Sequence, residues 1–277
     1  ITALLSGAAL ATTGLLMQTS FSNPLAGPSI LGINSGAGLG VALVMLLLGG
    51  SLSIGTLQLG GCIAVIAGAL IGAFAVTTLI LMLASKMKSN VLLLIVGLMV
   101  GYLVSAIISL LSSWSSAEGV QSFVSWGYGN FGGISLQQLP FYTVIIMACL
   151  LASLTLIKPL NALLLGDNYA ENLGIRIKYT RVRLLGITGI MASMVTAFCG
   201  PIAFLDLIVP YIARMMLRTS NHQALMPVTM LSGASLALLC NLICQIPNSN
   251  GYIPLNVVTP IVGAPIVIYV ILHQRFK

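Results

Sequence analysis

Charge is scarce in this sequence. Its 277 residues include eleven Lys or Arg and only four Asp or Glu, so 5% are charged, against about a quarter in a soluble domain. So few charges cannot hydrate the surface of a soluble enzyme of this size. Disorder is excluded by the same composition, because 58% of the residues are hydrophobic and disordered chains are poor in them. The net charge of +7 points to no nucleic-acid partner, since the basic residues stand in short groups between long apolar runs and form no basic domain. Residues 1–85 contain no Asp, Glu, Lys or Arg at all. Also missing is the polar–apolar alternation that marks the roughly 10-residue strands of a membrane barrel.

Long apolar runs fill the chain instead, and in lipid a helix pairs its own backbone groups. The expected fold is therefore an all-α polytopic membrane protein with one transmembrane domain over residues 1–277. We read nine spans, at about 2–21, 35–50, 58–84, 91–112, 137–157, 184–200, 202–217, 226–246 and 255–273, each near the ~20 residues that cross a bilayer. The third is long enough to tilt. The seventh is short and holds Pro210, so it is expected to bend or re-enter. Placing Arg275 and Lys277 in the cytoplasm brings Lys86, Lys88, Lys158, Arg176, Lys178, Arg181, Arg183, Arg214 and Arg218 to the same side, which accounts for every basic residue. Glu118 falls outside. A wrong span count would have split the positive charges. Nine spans place Ile1 outside and in mid-helix, so a preceding helix is expected; residues 1–21 lack the basic start of a signal peptide.

The five cysteines, Cys62, Cys149, Cys199, Cys240 and Cys244, all fall in apolar spans and read as small buried residues. Cys240 and Cys244 are one helical turn apart, but no His or carboxylate stands nearby to complete a metal site. No metal or cofactor is expected on this chain.

Three stretches carry unusual polarity. The first follows span one: Gln18, then Ser22-Asn23-Pro24-Leu25-Ala26-Gly27-Pro28, then Leu31-Gly32 and Gly36-Ala37. It reads either as an ordinary loop or as irregular backbone buried beside a transport path. The second is the inside loop 158–183. Asn168 and Glu171 have capping-box spacing and Gly174 suits a C′ position, which predicts a short helix over about 169–173. Leu164, Leu165 and Leu173 then lie exposed unless they fold onto the bundle or dock a partner. The small Ala170 would let a partner approach closely. The third stretch is Gly200-Pro201 through Asp206, Pro210 and Arg214. Asp206 is an acid in apolar surroundings, a functional candidate by default; the plainer alternative is an acid hydrated or hydrogen-bonded near the outer interface. Pro210 removes the amide that would bond the Asp206 carbonyl.

Together these stretches resemble the FecCD/BtuC family, the permease subunits of type II ABC importers for iron-siderophores, haem and cobalamin. The resemblance rests on Gly14 to Gln18, Asn23-Pro24-Leu25-Ala26-Gly27-Pro28, Leu31-Gly32 and Gly36-Ala37. It continues through Gly166, Ala170, Leu173 and Gly174, then Gly200-Pro201-Ile202, Phe204, Leu207, Pro210 and Arg214, and ends on Pro254, Thr259 and Gly263-Ala264-Pro265. It implies ten helices, of which nine are visible here, and an inverted repeat relating spans one to four to spans six to nine. It implies coupling to an ATPase through 158–183, with Gly166, Asp167, Asn168, Ala170, Glu171, Leu173 and Gly174 as candidates. Gln18, Asn23, Pro24, Gly200, Pro201, Asp206 and Pro210 are candidates for the translocation path. The chain departs from the pattern at Asp206, where the family has Gly, and at Tyr211, where it has His. Asn241 and Gln245 replace an Asp and an Arg near the outer end of span eight. Gln245 is therefore the docking candidate for a binding protein, on a less charged face than usual.

The function this implies is the permease subunit of an ATP-driven importer. It would move a metal chelate, with iron-siderophore first and haem or cobalamin as alternatives, through a pore at a dimer interface. The implied partners are a cytoplasmic ABC ATPase dimer, a second permease copy or close homologue, a substrate-binding protein and the lipid bilayer of a bacterial inner membrane. No phosphate-binding G-x-x-x-x-G-K-[ST] motif occurs, so ATP and Mg belong to the ATPase subunit. An ion-coupled secondary transporter would want several intramembrane acids, and only Asp206 qualifies. A membrane-embedded enzyme finds no paired carboxylates facing His222 or His273.

Overall fold

A computed structural model describes residues 1–47, 58–86, 90–246 and 253–274. Among these, helices account for nearly all ordered structure, in the order α1 (Thr2–Ser20), α2 (Ile33–Ala42), a π-helical turn (Leu43–Leu47), α3 (Gln58–Lys86), α4 (Asn90–Trp114), α5 (Ala117–Gly127), α6 (Leu139–Leu154), α7 (Ile157–Leu163), α8 (Asp167–Asn172), α9 (Ile177–Cys199), α10 (Leu205–Leu217), α11 (His222–Cys244) and α12 (Leu255–Gln274). A helix stands at each of the nine expected stretches. By length and apolarity alone, four described helical segments qualify as spans: Ile63–Ile80, Ile95–Trp114, Ile177–Cys199 and His222–Cys244. A fifth qualifies if α6 and α7, bent by 51° at their break, count as one.

Helix α1 is the axis of the bundle, packed against α6, α7, α9, α10 and α11. It is buried along almost its whole length although it carries Ser6, Thr12, Thr13, Gln18, Thr19 and Ser20. Thr12 and Thr13 donate back to the carbonyls of Ala8 and Leu10, which lets a hydroxyl sit inside an apolar core without a lost hydrogen bond. Small residues bring the helices close. A Cβ at Gly7 would overlap Gly233 of α11, and Gly36 and Gly40 of α2 meet Gly72 and Gly68 of α3 backbone to backbone; without a side chain in the way, dispersion contacts run along the helices. The order of long helix, break, short helix and long helix occurs twice, as α1–α2–α3 and α9–α10–α11. At 13 residues, α10 rises only about 20 Å, and the irregular residues 200–204 lead into it.

The structure corrects the sequence reading at three places. The segment 158–183 is mostly helical rather than a loop. Helix α9 begins at Ile177, so Lys178, Arg181 and Arg183 lie on its first turns; Lys and Arg are good helix formers whose stems lie along apolar surface. The short helix starts at Asp167 with Gly166 as its N-cap, and Asn168 makes no capping bond. Helix α5 was not expected. Ser116 caps it, accepting from the amide of Gly119 at 3.2 Å, with Glu118 favourably placed in the first turn. Expectations on Lys88, Arg275, Lys277 and residues 247–252 lie outside the described residues.

Candidate functional site

Three sites result from this packing: one at the basic end of the bundle, one in its middle and one at the opposite end. At the basic end, α7 and α8 form a small knob. Helix α8 closes with Gly174 at φ +81°. The Gly174 amide reaches the Glu171 carbonyl at 2.9 Å and the Ile175 amide reaches the Ala170 carbonyl at 3.0 Å. This is a Schellman closure, and its positive φ is why Gly stands there. Ala170 is fully buried against Ala162, Leu163 and Ile177. It therefore seats α8 on its own chain, and is not the residue that lets a partner approach. Arg181 of α9 holds Asp167 at 2.9 Å. Leu164, Leu165, Tyr169 and Leu173 remain exposed, and they form an apolar cap on the knob.

In the middle, Asp206 is 1% exposed, so it is not a hydrated acid near the outer interface. It sits at the end of a chain of side-chain donors. The Thr196 hydroxyl donates to Asn34 Oδ1 at 3.0 Å, Asn34 Nδ2 to Ser29 Oγ at 3.1 Å, and the Ser29 hydroxyl to Asp206 Oδ2 at 3.1 Å. Four segments meet there: α9, α2, the 21–32 stretch and α10. Asp206 Oδ1 has no hydrogen-bond partner among the described residues. Gln18 lies one turn further along, donating to the Leu207 carbonyl at 3.1 Å and accepting from Arg214 Nη1 at 2.8 Å. Ala26, Gly27, Pro28 and Leu31 are buried, so the irregular backbone folds into protein after the partly exposed Asn23-Pro24-Leu25 turn. Asn23, which accepts from the Leu25 amide at 2.9 Å, and the neighbouring Pro24 lie on its surface rim.

At the opposite end, a cavity of about 580 Å³ opens between the ends of α1 and α11, the α5–α6 link and the start of α12. Ser125, Tyr128, Asn130, Asn241 and Gln245 contribute polar groups, and no lining side chain is charged. Gly200 and Pro201 lie close by: a Cβ at Gly200 would stand 2.6 Å from the Trp126 carbonyl, and Asn256 bridges the carbonyls of Gly127 and Pro201. The structure thus groups Gln18, Asp206 and Pro210 along α10 and places Gly200, Pro201 and Gln245 toward the other end.

The full-length order of these features matches a known architecture. The family model described as the FecCD transport family matches residues 1–273. The chain belongs to the FecCD transport family. Curated relatives include the vitamin B12 import system permease protein BtuC of Klebsiella pneumoniae subsp. pneumoniae, 36% identical over 98% of this chain and 79% of that protein. The BtuC protein of Escherichia coli O9:H4 is 34% identical over 98% of this chain and 80% of that protein. A solved structure of an inward-facing metal-chelate type ABC transporter superposes with a TM-score of 0.87 at 30% identity, covering 99% of this chain and 84% of that one. As a FecCD protein, the chain is a multi-pass inner-membrane permease subunit of a type II ABC importer. It is not itself catalytic, and the ATPase is a separate subunit.

Sequence reasoning missed one group at the basic end of this FecCD chain. His222 of α11 bonds to Asn161 of α7 on one side and to Thr19 of α1 on the other. The only signal was Asn221, a good N-cap residue placed before an apolar helix; its side chain does accept from the Gln223 amide.

Proposed function

We propose that this permease moves a metal chelate through a pore formed with a second permease copy or close homologue. In this reading a cytoplasmic ABC ATPase docks on the α7–α8 knob and a substrate-binding protein docks over the opposite end. The observation that carries the proposal is the set of exposed apolar residues on and beside α8, with Tyr169 on the six-residue helix, Leu164 and Leu165 just before it and Leu173 at its end. The chain clamps this helix from behind through Ala170. A helix this short does not persist in water unaided. A water-facing apolar cap on a rigid seat is what a partner surface needs. ATP and Mg belong to that partner.

For the cargo, the sequence reading put iron-siderophore first. The relatives carry the name of a vitamin B12 permease, which supports cobalamin equally, and the solved neighbour is of metal-chelate type. Uptake of labelled cobalamin, ferric siderophores and haem into vesicles carrying the complex tests this. Transport of one chelate driven by ATP supports the reading. Uptake that needs an ion gradient and no ATPase subunit would replace it with a secondary transporter.

A further inference from the structure

The knob at the basic end is tied to the bundle by a directed set of hydrogen bonds. Asn161 of α7 presents Oδ1 to His222, where it receives the backbone amide at 2.9 Å and meets Nδ1 at 2.8 Å. Its Nδ2 donates to Asn221 Oδ1 at 2.9 Å. The reverse orientation of the Asn161 amide would set donor against donor, so the orientation is determined. A carbonyl oxygen only accepts, so Nδ1 of His222 carries the hydrogen. In the neutral ring Nε2 is then an acceptor, and it lies 2.9 Å from the Thr19 hydroxyl in the last turn of α1. His222 and Thr19 are both buried. The next residue back, Gln18, grips α10 at Leu207 and Arg214. Two residues beyond Thr19 the chain leaves α1 for the irregular 21–32 stretch.

Helix α7 faces two ways. Leu156, just before it, and Leu160 are buried in the main core, while Ala162 and Leu163 belong to the small cluster that seats α8. The helix is also hinged to α6 by the 51° break. A push on α8 therefore reaches α7 through packing. It then passes to the end of α1 through Asn161, His222 and Thr19, each of whose polar side-chain groups faces a complementary partner.

We propose that His222 is a positioning residue of the transport cycle, the joint through which the ATPase-facing α7–α8 segment sets the inner end of α1 and the 21–32 stretch that follows it. This rests on the reading of α8 as the ATPase contact. A joint of this kind needs a rigid planar group that donates on one edge and accepts on another, which the neutral imidazole of His222 supplies. Packing alone slides; matched hydrogen bonds hold register, because breaking one leaves a buried polar group unpaired.

The test uses the full complex in vesicles, with Thr19→Val, Asn161→Ala and the double variant. Thr19→Val removes only the hydroxyl and keeps the shape, so it carries the test if Asn161→Ala does not assemble. The first readout is cargo moved per ATP hydrolysed. Each single variant is expected to lower that ratio by about five- to tenfold, within the ordinary range of coupling between sites. The double variant is expected to fall no further than the worse single, because both break one linkage. The second readout is a fluorophore on a cysteine replacing Leu25, which is exposed; its ATP-induced signal is expected to vanish in Thr19→Val. Wild-type ratios in both single variants, or losses that simply multiply in the double, would overturn the proposal. Ala170→Arg, which unseats α8, separates the two readings. If it uncouples and the relay variants do not, only the relay fails. If it leaves the ratio at the wild-type value, the α8 reading fails and the relay falls with it.

Discussion

The backbone carbonyl of Asp206 lies so close to the Cα of Gly14 that any Cβ at position 14 would overlap it. Pro210 has no amide to offer that carbonyl, and the packed Cα of α1 covers what the helix leaves open. A Cα–H facing a carbonyl is a weak hydrogen bond that recurs at helix contacts. Gly14→Ala is therefore expected to destabilise the protein by about 1–3 kcal/mol, because the obstructing atom is backbone and cannot swing aside. Gly186→Ala, where an added Cβ meets nothing within 4 Å, is expected to be neutral or to stabilise by up to about 1 kcal/mol. Thermal melting of the purified protein in detergent decides it; equal melting points for the two variants would contradict the packing argument.

Ser29 and Asp206 form a second coupled pair. Ser29→Ala removes the hydroxyl that donates to Asp206 Oδ2 and takes one side-chain donor from a buried acid, at an expected cost of about 1–3 kcal/mol. Removing the acid as well, in Ser29→Ala with Asp206→Gly, should recover part of that loss, since the buried polar group that lacked its donor is then gone. A double-mutant cycle on melting temperature reads the interaction directly. Strict additivity would mean that Ser29 does not support the acid.

The α8 seat yields a third prediction. Gly174→Pro cannot adopt φ +81° and has no amide for the Glu171 carbonyl. Ala170→Arg forces a long charged side chain into the cluster of Ala162, Leu163 and Ile177. Both are expected to leave membrane insertion intact and to uncouple ATP hydrolysis from transport. Leu173→Asp, on the exposed side, should instead weaken assembly with the ATPase subunit. Wild-type coupling in all three would remove α8 from the mechanism.

The packing gathers the ends of the helices as the charge distribution requires. The end of α1, α7 and the start of α11 meet through Thr19, Asn161 and His222, while Ile1, Asn130 and Gln245 share the opposite cavity. Single cysteines at Ser116 and Ser220, both exposed, should therefore label differently in a cysteine-free background. A membrane-impermeant reagent applied from outside is expected to tag Ser116→Cys and to spare Ser220→Cys. Labelling of Ser220→Cys from outside would overturn the topology.

Much of this was legible in the residues, for identifiable reasons. Apolar runs mark helices because lipid leaves the backbone no other way to pair, and Gly174 announced its turn because few other residues accept that φ. The start of α9 was missed because Lys178, Arg181 and Arg183 suit both a loop and a helix end. The N-cap of α8 was misplaced because Asn168 has the right neighbours but Gly166 has the right backbone. The Thr196–Asn34–Ser29–Asp206 chain and the His222 joint could not be read at all. Their partners are between 5 and 203 residues apart in sequence, and ordinary Ser, Thr and Asn residues give no local sign of which distant group they will meet.

The proposed docking of a binding protein over the opposite end makes Gln245 a testable position. It stands exposed at the C-cap of α11, on the rim of a cavity of about 580 Å³ whose lining includes Asn241, Asn130, Ser125 and Tyr128 and no charged side chain. The side chains that line this cavity offer only neutral hydrogen-bonding groups; a neutral hydrogen bond is worth about 0.5–1.5 kcal/mol and is not screened by salt as a charge pair is. Binding-protein affinity measured across a salt series is therefore expected to change little for the wild type. Gln245→Arg adds a charge at the rim, where rim charges act chiefly on the association rate and its salt dependence. If the partner offers an acidic group over the cavity, the variant should bind faster at low salt and lose that advantage as salt rises; if it does not, the two salt series should superpose. A steep salt dependence already present in the wild type would place the docking charges elsewhere and remove Gln245 from the interface.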